Sequence, residues 1–560
     1  MRKLSILLLA LCSLAVSTTH AQVSKVEVST PFDEPEDGWN KVLQLKNGNT
    51  FFFHFTNKDG IEVTVYNKQR NLVATRELTS ELWEPKKMKH SVIEGLYEIG
   101  GQPVIFLQQQ IDRTPSLFRI KLDANTGEIA GEKLISTLDR YPTGASWAMK
   151  YGRVEEEDFF VEKDPRSDCY AVVNFNSFAE SNKRLEIMHY DGSEGKHKII
   201  NRAFYNSPEG QFKYLRYIGM TVDGPYNVFM CTYGFNHKND MGNDSRVIMS
   251  RLKTENGSPV FTHNLLAFSE DFRETRGIMQ YNKGTNMLQL MTLTYLKSKG
   301  GGFSPFNTSE RKSYYLTLMS FIDPESLTIA YTKPIVGEKI DADLHQQFEH
   351  TSAFHGLPQQ MIINRDNTTT VLMEEMETTT VTNNVGSVVS QTTTLGNIGV
   401  AELNEKGSED DGHVILKVQS CKGIYDPLYL SEKSKGKWSY RGNGATFNNN
   451  AFLSFDYLNT DNNKYVLFND YPSNYAREQD GKRRRKTVTT ISGANTMCYK
   501  MQNGKISRFF VFGTPQDDDQ TKFCYVESSH FSKETNTYAT LMMEKNGRDK
   551  QARIAWVTFQ

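Results

Sequence analysis

The chain reads as an all-β protein built from one four-strand module repeated along its length. Three observations predict this. Short runs alternate apolar and polar residues, as in LFRIKL at Leu117–Leu122, the period of a half-buried strand. Tight-turn residues such as Asn47-Gly48 and Asp59-Gly60 punctuate these runs, because type I′ turns need positive φ at both central residues. Aromatic residues make up 11% of the chain, and they suit strands.

The first complete module begins at Trp39. WNKVLQLKNGNTFFFHFTNKDGIEVTVYNKQRNLVATREL holds four strands, here A to D, joined by turns at Asn47-Gly48, Asp59-Gly60 and Gln69-Arg70-Asn71. A second module starts near His90, and LFRIKLDANTGEIAGEKLI is its C–D hairpin. Others start near Glu157, Phe212, Thr275, Ser352 and Phe447, with C–D turns at Asp191, Thr254, Asp323, Asn404 and Gln502. The last, from near Lys522, supplies A, B and C and then the chain ends without a D strand. The alternating segment Val23–Thr30 precedes the first module and is the missing strand, since pairing it there removes two exposed sheet edges.

Radially repeated four-strand sheets with matched incomplete ends resemble the β-propeller superfold over nearly the whole chain. LDANTGE is similar to C–D hairpins of quinoprotein-like propellers, but it occurs cleanly once, and regular WD dipeptides, kelch glycine doublets and sialidase-like boxes are missing. The resemblance implies a single ring of about eight four-stranded blades, or seven if two weak modules merge, closed by the N-terminal strand. A row of two-sheet sandwiches explains the turns but not the incomplete ends. A superfold implies no particular activity.

The N-terminus, MRKLSILLLALCSLAVSTTHAQ, has a basic start, an apolar run to Val16 and a small-residue site ending at Ala21. Residues 1–21 are therefore expected to be a secretory signal peptide, with residues 22–560 one propeller domain exported to the periplasm, cell surface or medium. No later run is apolar and long enough to span a membrane as a helix. Cleavage removes Arg2 and Lys3 and no acid, taking the formal charge from −1 to −3. That balance argues against nucleic acid as a partner. Cys169, Cys231, Cys421, Cys498 and Cys524 are scattered, without CxxC spacing, and are expected to be buried strand residues.

Insertions are expected to favour one face. In an up-and-down blade the A–B and C–D turns share one end, and the B–C and D–A links share the other. The first set is short; the second carries the long segments from Asp139, Tyr233, Lys297, Gly337, Met376, Cys421 and Asp470. Long loops on a rigid scaffold are where binding residues concentrate. Trp147, Tyr233, Phe235, Phe303, Phe306, Trp438, Tyr440, Tyr471 and Tyr475 accompany them, with the basic run KRRRK including Arg483, Arg484 and Arg485. These are the ligand-binding candidates, suited to sugars, protein hot spots or an anionic partner.

No catalytic, metal or cofactor residues are assigned. His345, His350 and His355 step by five residues, which suits neither a helix face nor a strand face. Gly144-Ala145-Ser146-Trp147 lacks the full nucleophile-elbow pattern. The acidic runs Glu155–Asp158 and Asp517–Asp519 read as solvated turns. The expectation is a non-catalytic exported propeller binding a protein or glycan through its long-loop face. The alternatives are a polysaccharide-acting enzyme with acidic residues in the central funnel, and a structural part of an envelope assembly.

Overall fold

A computed structural model describes residues 23–560 apart from 36–37, 57–59, 141–158, 177–183, 206–211, 213, 237–244, 269–271, 297–314, 349–352, 383–387, 424, 426, 437–452, 461, 480–484, 503, 516–519 and 547–548. Antiparallel meanders follow one another in sequence order as a β-propeller. Blade 1 pairs Trp39–Gln44, Thr50–Phe55, Ile61–Tyr66 and Leu72–Glu77 in order. Modules beginning at Ser91, Phe159, Tyr214, Phe272 and Gly356 give five further separate sheets.

Separate blades thus number six, not eight. The last two modules share one nine-stranded sheet, because Asn495 of one bridges in parallel to Lys522 of the next. Within it, Phe455–Asn459, Lys464–Asp470, Asn495–Gln502 and Lys505–Phe510 keep the A-to-D order. The final module supplies Thr521–Cys524, Thr537–Asn546 and Asp549–Phe559, and its outer strand is Val23–Val28. The two modules are called blades 7 and 8 below.

Ring closure at Val23–Val28 follows the expectation. Val26 faces Val557 and Val28 faces Ala555, and Ser29 and Phe32 extend the pairing to Ile554 and Ala552. Apolar clusters then fill each junction between consecutive modules. Val42, Phe52 and Trp556 lock blade 8 to blade 1, and Leu458, Tyr465, Cys524 and Val557 lock blade 7 to blade 8. The five cysteines are free and buried, as strand residues in this packing.

The hairpin turn after Leu122 shows how local chemistry shapes a blade. Asp123 Oδ1 accepts from the amides of Asn125 (2.9 Å) and Thr126 (2.8 Å), and Gly127 supplies φ +74°. Asp323 repeats the same pattern with Glu325 and Ser326, but Leu327 takes the positive-φ position at 56°. Its side chain is buried in the blade 4–5 cluster, and that burial offsets a conformation usually left to glycine.

Among the described residues, two helices occupy the long-link end. Helix α1, Glu338–Phe348, lies between blades 5 and 6, burying Ile340 and Leu344, and Asp343 accepts from the Val414 amide at 2.8 Å. It covers the outer strand of blade 6, Glu409–Ile415, and so protects a sheet edge. His345 lies on this helix beside Asp341, His355 lies beyond it, and His350 is outside the described residues. Helix α2, Pro472–Gln479, sits in the B–C link of blade 7. The Met376 link of blade 6 forms a projecting hairpin of Thr369–Thr382 and Val388–Leu403.

Buried histidines are expected to make the fold acid-sensitive. His189 is fully buried; Nε2 lies 2.9 Å from the Gly224 carbonyl, while Nδ1 lacks a hydrogen-bond partner. Burial pushes its pKa down to about 4. His197, packed against Tyr170 and near Arg119, is pushed down to about 3, mainly by burial. A histidine held neutral in the fold but protonated when unfolded contributes stability above its unfolded pKa, which is lost as pH falls toward the folded value. The contribution of His189 alone is on the order of 3 kcal/mol. The melting temperature should therefore drop between about pH 6.5 and 4, and His189→Gln should shallow that drop. An unchanged pH profile in the variant would refute this assignment.

Candidate functional site

First strands from blades 3 to 7, with the short strand His530–Ser532 of blade 8, line one central cavity of about 850 Å³, extending to the A–B turns. The short-turn end of the ring is therefore open and concave. Glu162 and Lys163 come from blade 3, Tyr217 from blade 4, Tyr281 and Asn282 from blade 5, Gln360 and Asn364 from blade 6, Tyr457 from blade 7 and Phe531 from blade 8. Residues from corresponding strands of different blades are thereby brought together across the ring.

A segment of the long blade 6–7 link, Leu428–Gly436, enters from the opposite end and contributes Ser431, Glu432 and Lys435 to the same cavity. It acts as a plug held by five modules. The Leu428 amide donates to Pro358 of blade 6. Leu96 of blade 2 donates to the Ser434 carbonyl, and Gly436 donates to Ile93. Lys433 pairs with Asp456 of blade 7 and donates to Ser529 Oγ of blade 8 at 2.5 Å. Lys435 reaches Glu162 of blade 3 at 2.6 Å. No Cβ is available at Gly436, which suits its approach: one added there would lie 3.2 Å from Ile93 Cβ.

Charge is concentrated around the plug. Burial lowers the affinity of Lys435 for its proton, but Glu162 with the phenols of Tyr217 and Tyr97 outweighs it and holds the ammonium well above its usual value. Lys41, from the first strand of blade 1, donates to the carbonyls of Ser529 (2.8 Å) and Glu527 (3.2 Å). Burial, helped by the Lys433 charge, pushes its pKa down to about 7. At the base of the plug the fully buried Glu374 accepts from Tyr429 (2.6 Å) and Ser454 (2.6 Å) and pairs with Lys417 at 2.6 Å.

The sequence-derived candidates fall elsewhere. Tyr233 and Phe235 lie in the second strand of blade 4 and are buried in the blade 4–5 cluster, because their strand is covered on both sides. Tyr471 is buried at the entrance to α2, with Lys486 over its ring. Tyr475 packs edge-on against Phe510 and under Arg508. Arg485 is not a free surface cation. Its guanidinium donates to Glu478 at 2.8 and 3.0 Å and lies 3.4 Å from Asp470, with only 7% of the side chain exposed. Tyr471, Tyr475 and Arg485 are thus brought together as the anchor of one loop. Trp147, Phe303, Phe306, Trp438, Tyr440, Arg483 and Arg484 lie outside the described residues.

The funnel residues were missed, although a signal exists. EKDPR at Glu162, NKG at Asn282, NRDN at Asn364 and SKET at Ser532 each place a cation at an A–B turn. Aligning the modules on their first turns would have put these side chains on one rim.

No family model matches the chain, and no curated protein matches it. Among solved structures it is similar to the polysaccharide lyase Uly1, at 9% identity over 97% of this chain and 94% of that one, with TM-score 0.35. It is also similar to the WD40 domain of SCAP from fission yeast (7% identity, 96% and 98% covered, TM-score 0.34). A third is the quinohemoprotein alcohol dehydrogenase ADHIIG from Pseudomonas putida HK5 (10% identity, 93% and 76% covered, TM-score 0.36). The topology itself defines the class: a β-propeller with a plugged axial channel.

Proposed function

We propose that this chain is an exported, non-catalytic propeller that binds a glycan in the funnel at its short-turn end. The observation that carries the reading is the blind concavity of about 850 Å³, whose wall combines amides such as Gln280, Asn282, Gln360 and Asn364 with Tyr281, Tyr457 and Phe531. Aromatic faces and fixed amide groups together are what a sugar ring and its hydroxyls require. The long-link end is less suited, since the candidate aromatics described there are packed as anchors. Titration calorimetry with oligosaccharides should give saturable binding, and Tyr281→Ala, at a partly exposed ring, should weaken it about tenfold, the effect of losing roughly 1.4 kcal/mol of contact. Native binding unaffected by this and by Asn364→Ala would overturn the placement. Export predicts that protein from its own host begins at Gln22, and an intact mass retaining the leader would refute it.

A polysaccharide-acting enzyme is the second reading, favoured by the two carboxylates, Glu162 and Glu432, lining the same funnel. Appearance of shortened oligosaccharides on prolonged incubation, lost in Glu432→Gln, would select it.

A further inference from the structure

The funnel has a charge character that the whole chain lacks. Lysine plus arginine and aspartate plus glutamate are balanced at 65 and 66. Among the described funnel-lining side chains the cations are Lys163, Arg166, Lys283, Arg365, Lys435 and Lys533, against only Glu162 and Glu432. Composition does not produce this bias; the folding of separate modules into a ring does.

Four of the cations lie at the rim and are exposed: Arg166 at the A–B turn of blade 3, Lys283 of blade 5, Arg365 of blade 6 and Lys533 of blade 8. Lys163 and Lys435 lie deeper. Neighbouring acids meet Arg166 and Lys283 of this collar. Asp164 is buried and committed to its own turn and the next blade's, accepting from Ser167 Oγ (2.6 Å) and the Gly224 amide (3.0 Å), and Arg166 stands 3.8 Å away. Lys283 touches Asp223 at 2.7 Å, but 45% of its side chain stays exposed and it keeps further donors for a ligand. Inside, Glu162 is neutralised by Lys435.

We infer that the funnel takes an acidic sugar chain, whose carboxylate or sulfate groups meet the rim collar of Arg166, Lys283, Arg365 and Lys533 while its rings meet the aromatic and amide wall. This rests on the glycan-binding reading above and adds the ligand's charge to it. Cations drawn from four blades are spaced around a rim, an arrangement fitted to several anions along one chain rather than to one compact anion. Field lines converging in a low-dielectric funnel also raise the local concentration of an anionic ligand.

The test compares three tetrasaccharide probes by calorimetry on the mature protein: tetragalacturonate, a sulfated chondroitin fragment and neutral maltotetraose. At least one acidic probe should bind more than tenfold tighter than maltotetraose, with affinity falling steeply from low to high salt because exposed charges are screened. The Arg365→Gln, Lys533→Gln double variant should lose about tenfold affinity for that probe, the equivalent of roughly 1.4 kcal/mol, with its melting temperature unchanged. Carboxylate and sulfate preferences are read from the two acidic arms. Equal, salt-insensitive binding of acidic and neutral probes would overturn the charge assignment and leave the glycan reading standing. No binding of any probe would overturn both, and tight acidic binding unchanged in the double variant would overturn the collar.

Discussion

Replacing Lys417 with Met is expected to destabilise the protein by about 3–5 kcal/mol, the range for removing one member of a buried ion pair. The pair with Glu374 is the most enclosed among the described residues, with side-chain exposures of 1% and 0%. Lys417 also donates to the Leu395 carbonyl and to Gln419, so its loss leaves acceptors without a donor in an apolar surround. Glu374 would be left with only the Tyr429 and Ser454 hydroxyls as partners in place of a cation. Adding Glu374→Gln should restore much of the loss, because a neutral amide can accept from one hydroxyl through its oxygen and donate to the other through its nitrogen. The readout is the midpoint of chemical unfolding for the single and double variants. A single variant as stable as the native chain, or a double variant no better than the single, would contradict the assignment. Tyr429 opens the plug segment, so the destabilised variant should also lose oligosaccharide binding before it unfolds globally.

Deleting residues 22–30 is expected to have a comparable effect by another route. It removes the Val23–Val28 strand from the edge of Asp549–Phe559, along with the Ser29–Ile554 and Arg553–Ser29 bonds. Several backbone hydrogen bonds at about 1 kcal/mol each give a loss of roughly 5 kcal/mol. The freed edge carries unpaired amides and carbonyls, a template for pairing with another chain. Light scattering should then show association that grows with concentration, and a peptide spanning Val23–Thr30 added in excess should reverse it. An unchanged melting temperature together with an unchanged particle size would rule out this strand as the ring's closure.

Much of the fold was legible because its determinants are short-range. Alternation along Leu117–Leu122, the Asp-Ala-Asn-Thr-Gly turn and the repeated first strands each depend on a few adjacent residues. The unfinished last module and the spare strand at Val23 required a comparison of the two chain ends, and strand pairing supplied the reason to join them. The number of separate sheets was not legible. Whether two modules remain distinct depends on one backbone bridge, Asn495 to Lys522, between residues whose spacing carries no turn or periodicity signal.

The candidate site divides the same way. Sequence alone determined a β module, its repetition and its closing strand, because propensity, period and turn chemistry act locally. Only the tertiary structure decided that Arg485 is an internal tie, that Tyr233 and Phe235 are core, and that Lys433 and Lys435 hold a plug across the ring. Burial and ion pairing are long-range properties. Glu162 and Lys435 lie hundreds of residues apart along the chain yet 2.6 Å apart in space, and no local pattern records a partner that distant.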